Sequence, residues 1–291
     1  MTLLEQLRAA PPYPRRVVCL TEETCETLYR IGAGELVVGV SGFTVRPREA
    51  RKKPRISSFL AADYEQVVAL RPDLVIGFSD LQAPLGAELS RRGVPVVLFN
   101  QRSLAEILQT VRATAALVGR AEQGEALAAE LTAELERLGE QASHLPRRPR
   151  AFFEEWHEPL ISGIRWCSEL LELAGADDVC AHTRSGSLGK ERIVAPLDVA
   201  AADPEVIIAS WCGRKASAEK IAARPGFSAV SAVRADQLYE VKSTFILQPG
   251  PACILAGAPQ LAAIVAAVAR GEQLPRARPG DLRAAPPPPA Y

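Results

Sequence analysis

The sequence predicts an α/β protein of two Rossmann-like lobes with mostly parallel sheets, joined by a long backbone helix. Three observations predict it. Short continuous apolar runs at 73–78 and 94–99, with a helical stretch near 85–92 between them, have the form of strands covered on both faces. A helix, proline, strand pattern recurs: Val67, Ala69, Pro72, Asp73 and the strand at 74–76 match Val199, Ala201, Pro204, Glu205 and the strand at 206–208. Leu28, Ile31, Gly32, Ala33 and Gly34 likewise have the form of Leu170, Leu173, Ala174, Gly175 and Ala176. Finally, apolar residues recur at helical spacing through the middle of the chain, from Leu104, Ile107, Leu108 and Val111 to Leu127, Leu131, Leu135 and Leu138.

Taken in order, the early prolines are expected to break any helix beginning at Thr2. A β-branched run at 16–20 reads as a strand, and Thr21, Glu22 and Glu23 then suit the positive end of a helix that stops near Gly32 and Gly34. A second strand follows at 36–40, and 41–58 reads as a basic loop without periodicity. A helix at 63–70 precedes Pro72. Ser103 and Glu106 form a capping-box pattern, and an unbroken helix from there to Gln141 would reach roughly 55–60 Å, with Gly119 and Gly124 as the places where it would break. In the second lobe a helix is expected at 165–173, a strand at 238–241 and a helix at 252–269. The resulting division is an N-terminal lobe at 1–102, a connecting helix at 103–142, a C-terminal lobe at 143–272 and a proline-rich tail at 273–291, mobile from Ala284 onward.

Composition narrows the function. Apolar residues make up 48% and charged residues 23% of the 291 residues, so each half can bury a core. Basic and acidic residues balance at 34 each, which removes the attraction that drives binding to nucleic acid or to anionic membranes. A small molecule is the expected partner, and a monomer the expected state. No apolar run is long enough to span a bilayer. The first residues show no export signal, and the six cysteines contain no CxxC pair, so a cytoplasmic protein with reduced, buried thiols is expected, or a periplasmic one if the true start lies elsewhere.

Three segments, RRVVCLTEETCETLYRIGAGELVVGVSGF (15–43), LRPDLVIGFSD (70–80) and RRGVPVVLFN (91–100), resemble the cobalamin- and siderophore-binding proteins of ABC import systems, the cobalamin-binding members most of all. The resemblance implies two Rossmann-like lobes linked by one backbone helix, with a corrinoid, a ferric siderophore or haem bound in the cleft between them. It also implies an ABC permease as partner, onto which exposed acids of both lobes would dock. A substrate-binding component of an importer of this kind, or a cytoplasmic relative of one, binds its ligand without transforming it, so no enzymatic activity and no intrinsic cofactor are expected.

Ligands of open α/β sheets bind past the carboxyl ends of the strands. The residues there give the candidate ligand-binding set: Glu22, Phe43, Arg46, Asp80, Gln82 and Gln101 in the first lobe, and Trp156, Arg165, Trp211, Cys212, Lys215 and Gln248 in the second. Indoles at Trp156 and Trp211 can cover a flat macrocycle. Arg46 and Arg165 would clamp anionic groups if the ligand were a siderophore or haem. Glu22–Glu23 and Glu154–Glu155 are adjacent pairs, and neighbours on a strand point to opposite faces, so helix-end and surface roles are expected rather than a shared ligand. Three histidines, His144, His157 and His182, form no metal-binding array, leaving His157 or His182 only as an axial ligand to a metal carried by the bound molecule. An alternative makes the protein a thiol enzyme with Cys212 as nucleophile, since the cations that follow it would stabilise thiolate. Neither a GxxxxGK[ST] loop nor a GxSxG elbow is present.

Overall fold

Residues 2–276, 278 and 280–287 are described by the computed structural model. The chain divides into two units, Met1–Gln101 with Ala105–Glu130, and Arg102–Leu104 with Leu131–Tyr291.

In the first unit, α1 (Leu3–Ala9) forms although prolines follow it. Thr2 and Glu5 close a capping box at its start, and Pro11 and Pro12 lie beyond its end rather than inside it. Then come β1 (Val17–Cys19), α2 (Glu22–Arg30), β2 (Val37–Ser41), β3 (Arg55–Ser57), α3 (Tyr64–Ala69), β4 (Leu74–Phe78), α4 (Ala83–Arg91) and β5 (Val96–Phe99). The strands run in parallel in the order β3-β2-β1-β4-β5. Strand β3 lies in the segment read as a loop: a short edge strand with one buried residue, Ile56, carries too little periodicity to show. Val18, Leu20, Ile56, Val67, Val75 and Leu89 build this unit's core.

The middle of the chain is two helices, α5 (Leu104–Leu117) and α6 (Ala121–Ser143). Gly119, at φ +70°, breaks the run, as its position had suggested. Gly124 does not break it.

The second unit contains β6 (Arg150–His157), β7 (Leu160–Ser162), α7 (Arg165–Leu173), β8 (Asp177–Asp178), α8 (Pro196–Ala201), β9 (Val206–Ala209), α9 (Ala218–Ala222), α10 (Ser231–Arg234), β10 (Leu238–Glu240), α11 (Ser243–Ile246) and α12 (Ala258–Ala269). Strands β10, β9 and β6 are parallel, β8 pairs in parallel with the start of β6, and β7 returns antiparallel along its end. Phe152, Ile207, Trp211, Phe227 and Leu238 lie at the centre of its core. Residues past 272 that composition groups with the tail pack onto this sheet: Leu282 joins the core, and Arg283 donates to Asp236 at 2.7 Å. The remainder of that expected tail, from 288 on, lies outside the described residues.

The internal repeat has a physical basis. Before each repeated proline stands a residue with positive φ, Arg71 at 46° and Asp203 at 44°. After it stands an acid that accepts the backbone N–H entering the neighbouring strand: Asp73 from Arg15 and Arg16, both at 2.8 Å, and Glu205 from Arg150 at 3.0 Å. The second match shifts by one residue from the sequence pairing. Ala33 donates to the Leu28 carbonyl across Gly32 (φ 71°) as Ala176 donates to Leu171 across Gly175 (φ 89°), so Gly32 answers Gly175 rather than Ala174.

Candidate functional site

In the first sheet the chain leaves β1 toward β2 on one side and reaches β4 on the other, so the topological switch point falls between β1 and β4. The turns after these strands hold Thr21–Glu23 and Ser79–Gln82. Glu22 accepts from the Ser41 hydroxyl at 2.7 Å, and burial raises its pKa against the opposing pull of that bond and of Arg46. Glu23 is buried and accepts from Thr21 at 2.5 Å; its carboxyl is pushed up to about 8, first by burial and then by the neighbouring Glu22. Glu22 and Glu23 thus serve the helix end and the strand ends, each with its own partner.

The other first-unit candidates divide by exposure. Phe43 is 59% exposed, and Asp80 is exposed while accepting from Ser79 at 3.0 Å. Arg46 ion-pairs with Glu26 at 3.5 Å, and Glu26 also pairs with Arg30 at 3.3 Å. Gln82 is wholly enclosed: its carbonyl oxygen accepts from the Phe78 N–H at 3.1 Å and its amide donates to the Phe59 carbonyl at 2.9 Å. It does not present its amide to solvent. Gln101 lines a cavity of about 360 Å³ with Phe99, Asn100, Glu106 and Thr110.

In the second unit Trp156, placed past a strand by the sequence reading, lies instead inside one: Glu154 to His157 are the last four residues of β6. Glu154 is fully buried and accepts from the Trp211 indole at 2.8 Å and from both terminal nitrogens of Arg224. Glu155 takes a fork from Arg192 at 2.7 and 3.0 Å and the Ile164 N–H at 3.1 Å. The adjacent acids have separate partners, as strand alternation requires, but the surface role expected of Glu154 is overturned: its carboxylate is wholly buried in the ion pair with Arg224. Trp211 stacks on His157 with ring centroids 4.3 Å apart, and His157 lies 5.4 Å from Trp156. Trp156 donates to the Glu158 carbonyl at 2.9 Å and carries Arg214 5.3 Å above its ring. Burial, then Lys220, lowers the His157 pKa, and its Nδ1 is enclosed without a hydrogen-bond partner. Trp156 and His157 keep part of their surface open, whereas Trp211 is 2% exposed. Trp166 is buried, its indole bonded to Ile246.

Of the remaining candidates, Cys212 is the exposed cysteine and the other five are buried. Lys215 pairs with Asp281, Arg165 with Glu169 at 2.8 Å, and Gln248 is buried. His182 lines a cavity of about 610 Å³ with Glu191, Ile193 and Asp198. No cluster of histidine, cysteine and acidic residues able to hold a metal ion occurs among the described residues, and no described helix is long and apolar enough to cross a membrane. Sequence reading missed Arg192 and Arg224 as the partners of the paired acids, because nothing local links residues 37 and 70 positions apart. It also passed over Leu60 and Leu81, 63% and 45% exposed in the turns after β3 and β4.

Each of the two α/β units, with its mostly parallel sheet, gathers aromatic and polar side chains at the carboxyl ends of its strands, the place where open α/β sheets bind ligands. The chain belongs to the periplasmic binding protein family, whose model matches residues 17–244. This is the family expected from the segments at 15–43, 70–80 and 91–100. The chain is 29% identical over 180 residues to the vitamin B12-binding protein of Pectobacterium carotovorum, covering 59% of this chain and 63% of that one. It is 24% identical over 250 residues to an uncharacterized ABC transporter substrate-binding lipoprotein of Bacillus subtilis, covering 83% and 77%. The match thus spans less than two thirds of the Pectobacterium relative's length. Among solved structures, the periplasmic heme-binding protein of Roseiflexus superposes with a TM-score of 0.76 at 23% identity, covering 88% of this chain and 99% of that one. The periplasmic vitamin B12 binding protein of Vibrio cholerae gives 0.70 at 22%, covering 89% and 99%. At these identities the likeness is one of fold.

Proposed function

We propose that this chain is the substrate-binding component of an ABC importer and that it holds cobalamin or a related corrinoid without transforming it. The observation that carries the reading is the aromatic tier at the end of β6, where Trp156 and His157 keep open surface and Trp211 stacks on His157. Such faces suit a flat macrocycle bearing amides. Relatives in Pectobacterium, Vibrio and Yersinia that are named vitamin B12-binding proteins, at 26–29% identity, support it. Arg46 and Arg165, the clamps an anionic siderophore or haem would call on, are engaged with Glu26 and Glu169, which favours the corrinoid over those chelates. A thiol enzyme built on Cys212 draws no support from relatives that are named as binding proteins. An ABC permease is the proposed partner. The proposed compartment is outside the cytoplasmic membrane, as for the relatives, in place of the cytoplasm expected from the first residues.

Calorimetric titration with cyanocobalamin, haemin and a ferric siderophore tests the proposal. Cyanocobalamin is expected to bind with Kd below about 10 μM, near −7 kcal/mol, and to quench tryptophan emission. Absence of heat and quenching at tens of micromolar overturns the corrinoid reading, and heat with haemin or the siderophore alone moves the ligand to that class.

A further inference from the structure

At the carboxyl end of the first sheet, one wholly buried side chain ties together two turns that present exposed apolar groups. Gln82 ends the short turn Asp80–Gln82, and its backbone N–H bonds to the Ser79 carbonyl at 3.0 Å. Its side chain folds back into the sheet, where the carbonyl oxygen accepts from Phe78 at the end of β4 and the amide donates to Phe59 in the turn after β3. Gly77 accommodates this arrangement: a Cβ there would lie 2.5 Å from Gln82 Oε1. The intervening Ser79 has φ 78° and ψ 142°, a conformation that L residues rarely adopt. It is held by its N–H to the Phe99 carbonyl at 2.8 Å and by its hydroxyl, which accepts from Leu81 N–H at 3.3 Å. Asp80 N–H is fixed on Asn100 at 3.3 Å. The side chains this network displays are Leu60, Asp80 and Leu81, all exposed.

We infer that Gln82 is a positioning residue: through its two amide bonds it preforms the turns at 59–60 and 79–81 as a fixed recognition surface, with Leu60 and Leu81 meeting the apolar part of the ligand. This rests on the binding function proposed above and assigns Gln82 a role other than ligand contact. A residue in this place must both accept and donate, and few side chains do so in one plane. Loosening either bond frees one turn from the other, and a surface that must be ordered on binding loses affinity.

The test uses Gln82→Glu and Gln82→Met in the full chain. A protonated glutamic acid keeps an acceptor for Phe78 and supplies a hydroxyl for Phe59, whereas its ionised form cannot donate. Enclosure holds such a carboxyl protonated above the ordinary carboxylate range. At pH 5, Gln82→Glu is expected to match the wild type in amide hydrogen exchange over 57–63 and 78–83. At pH 8, where the carboxyl ionises, exchange there is expected to exceed that of the wild type at the same pH at least about tenfold while residues 206–209 keep their wild-type protection. Gln82→Met, neutral and of similar size, is expected to lose the same local protection at either pH. Cyanocobalamin affinity is expected to fall about tenfold in step with the local exchange, against less than about twofold in the wild type. Wild-type local protection in Gln82→Met, a loss spread evenly over both sheets, or local loss with unchanged affinity each overturns the inference. If wild-type protein binds no cyanocobalamin, the proposed function fails, while the exchange pattern still decides whether Gln82 positions the turns.

Discussion

Glu154 receives Arg224 in a fork, Nη1 to Oε2 at 2.7 Å and Nη2 to Oε1 at 2.5 Å, on a carboxylate with no exposed surface. The Trp211 indole adds a third donor at 2.8 Å. The two charges are held inside the second unit, where desolvation opposes them and only complete pairing offsets it. Removing one partner leaves the other charged and enclosed. Arg224→Met is therefore expected to lose about 3–5 kcal/mol in urea unfolding. Glu154→Gln combined with Arg224→Met should recover much of that loss, since the neutral amide still accepts from Trp211. A double variant no more stable than Arg224→Met would show that packing, and not charge, dominates there.

The buried carboxyls should make stability fall as pH rises through the neutral range, opposed below 6.5 by His157, whose pKa is lowered on folding and whose contribution therefore grows as pH rises toward 6.5. The carboxyl of Glu23 is raised by burial from its ordinary 4.5 to about 8, so below 4.5 both folded and unfolded forms hold the proton. Between those values the unfolded chain releases it while the folded chain keeps it, and each step upward favours unfolding. Glu22 and Asp178, also raised by burial, act in the same direction. Asp203 is lowered below 3.8 by its hydrogen bonds to Ser231, and Asp236, although burial pushes it up, is lowered by its bonds to Arg276 and Arg283, so their stabilisation fades only in acid, outside this window. Glu23→Gln keeps an acceptor for Thr21 and has no proton to lose. Unfolding free energies from urea titrations between pH 5 and 8.5 are expected to decline less in Glu23→Gln, with a difference on the order of 3 kcal/mol at the top of the range. Parallel curves for the two proteins would contradict the assignment.

What the chain made legible, it made legible through short-range patterns. The apolar runs at 73–78 and 94–99 become β4 and β5, and the helix, proline, strand repeat becomes α3 with β4 and α8 with β9. Apolar runs and prolines act within a few residues, so they can be read in order. Strand β3 and helix α1 were missed because both are short and depend on pairing or capping rather than periodicity. The site was legible only as a set of strand ends. Whether Gln82 faces a ligand or the Phe59 carbonyl, and whether Trp211 is open or bonded to Glu154, depends on residues 23 and 57 positions away. Local sequence carries no signal for such pairings.

The break between α5 and α6 depends on Gly119. At φ 70° an L side chain is strained, and a Cβ there would also lie 2.5 Å from the Tyr13 ring. Gly119→Ala is expected to cost about 1–3 kcal/mol in urea unfolding. With Tyr13→Ala in the background the ring no longer blocks the methyl group, and the added cost of the alanine should drop toward about 1 kcal/mol, the backbone share alone. An unchanged cost would mean that the ring gives way without penalty.

Thiol chemistry separates Cys212 from the other cysteines. It follows β9 in a turn whose Gly213 has φ 70°, and it is exposed, whereas Cys19, Cys25, Cys167, Cys180 and Cys253 are buried. Burial raises the Cys180 thiol to about 12 and raises Cys167 as well, which removes the thiolate that alkylation requires. Iodoacetamide at neutral pH should therefore label one thiol in the native protein and all six after denaturation, with Cys212 identified by peptide mass. Its rate bears on function: a nucleophile poised for covalent catalysis reacts faster than free cysteine, because catalysis needs a stabilised thiolate. For a protein that binds its ligand unchanged, the expected rate is at or below that of free cysteine, and a rate about tenfold or more above it would revive the thiol-enzyme reading.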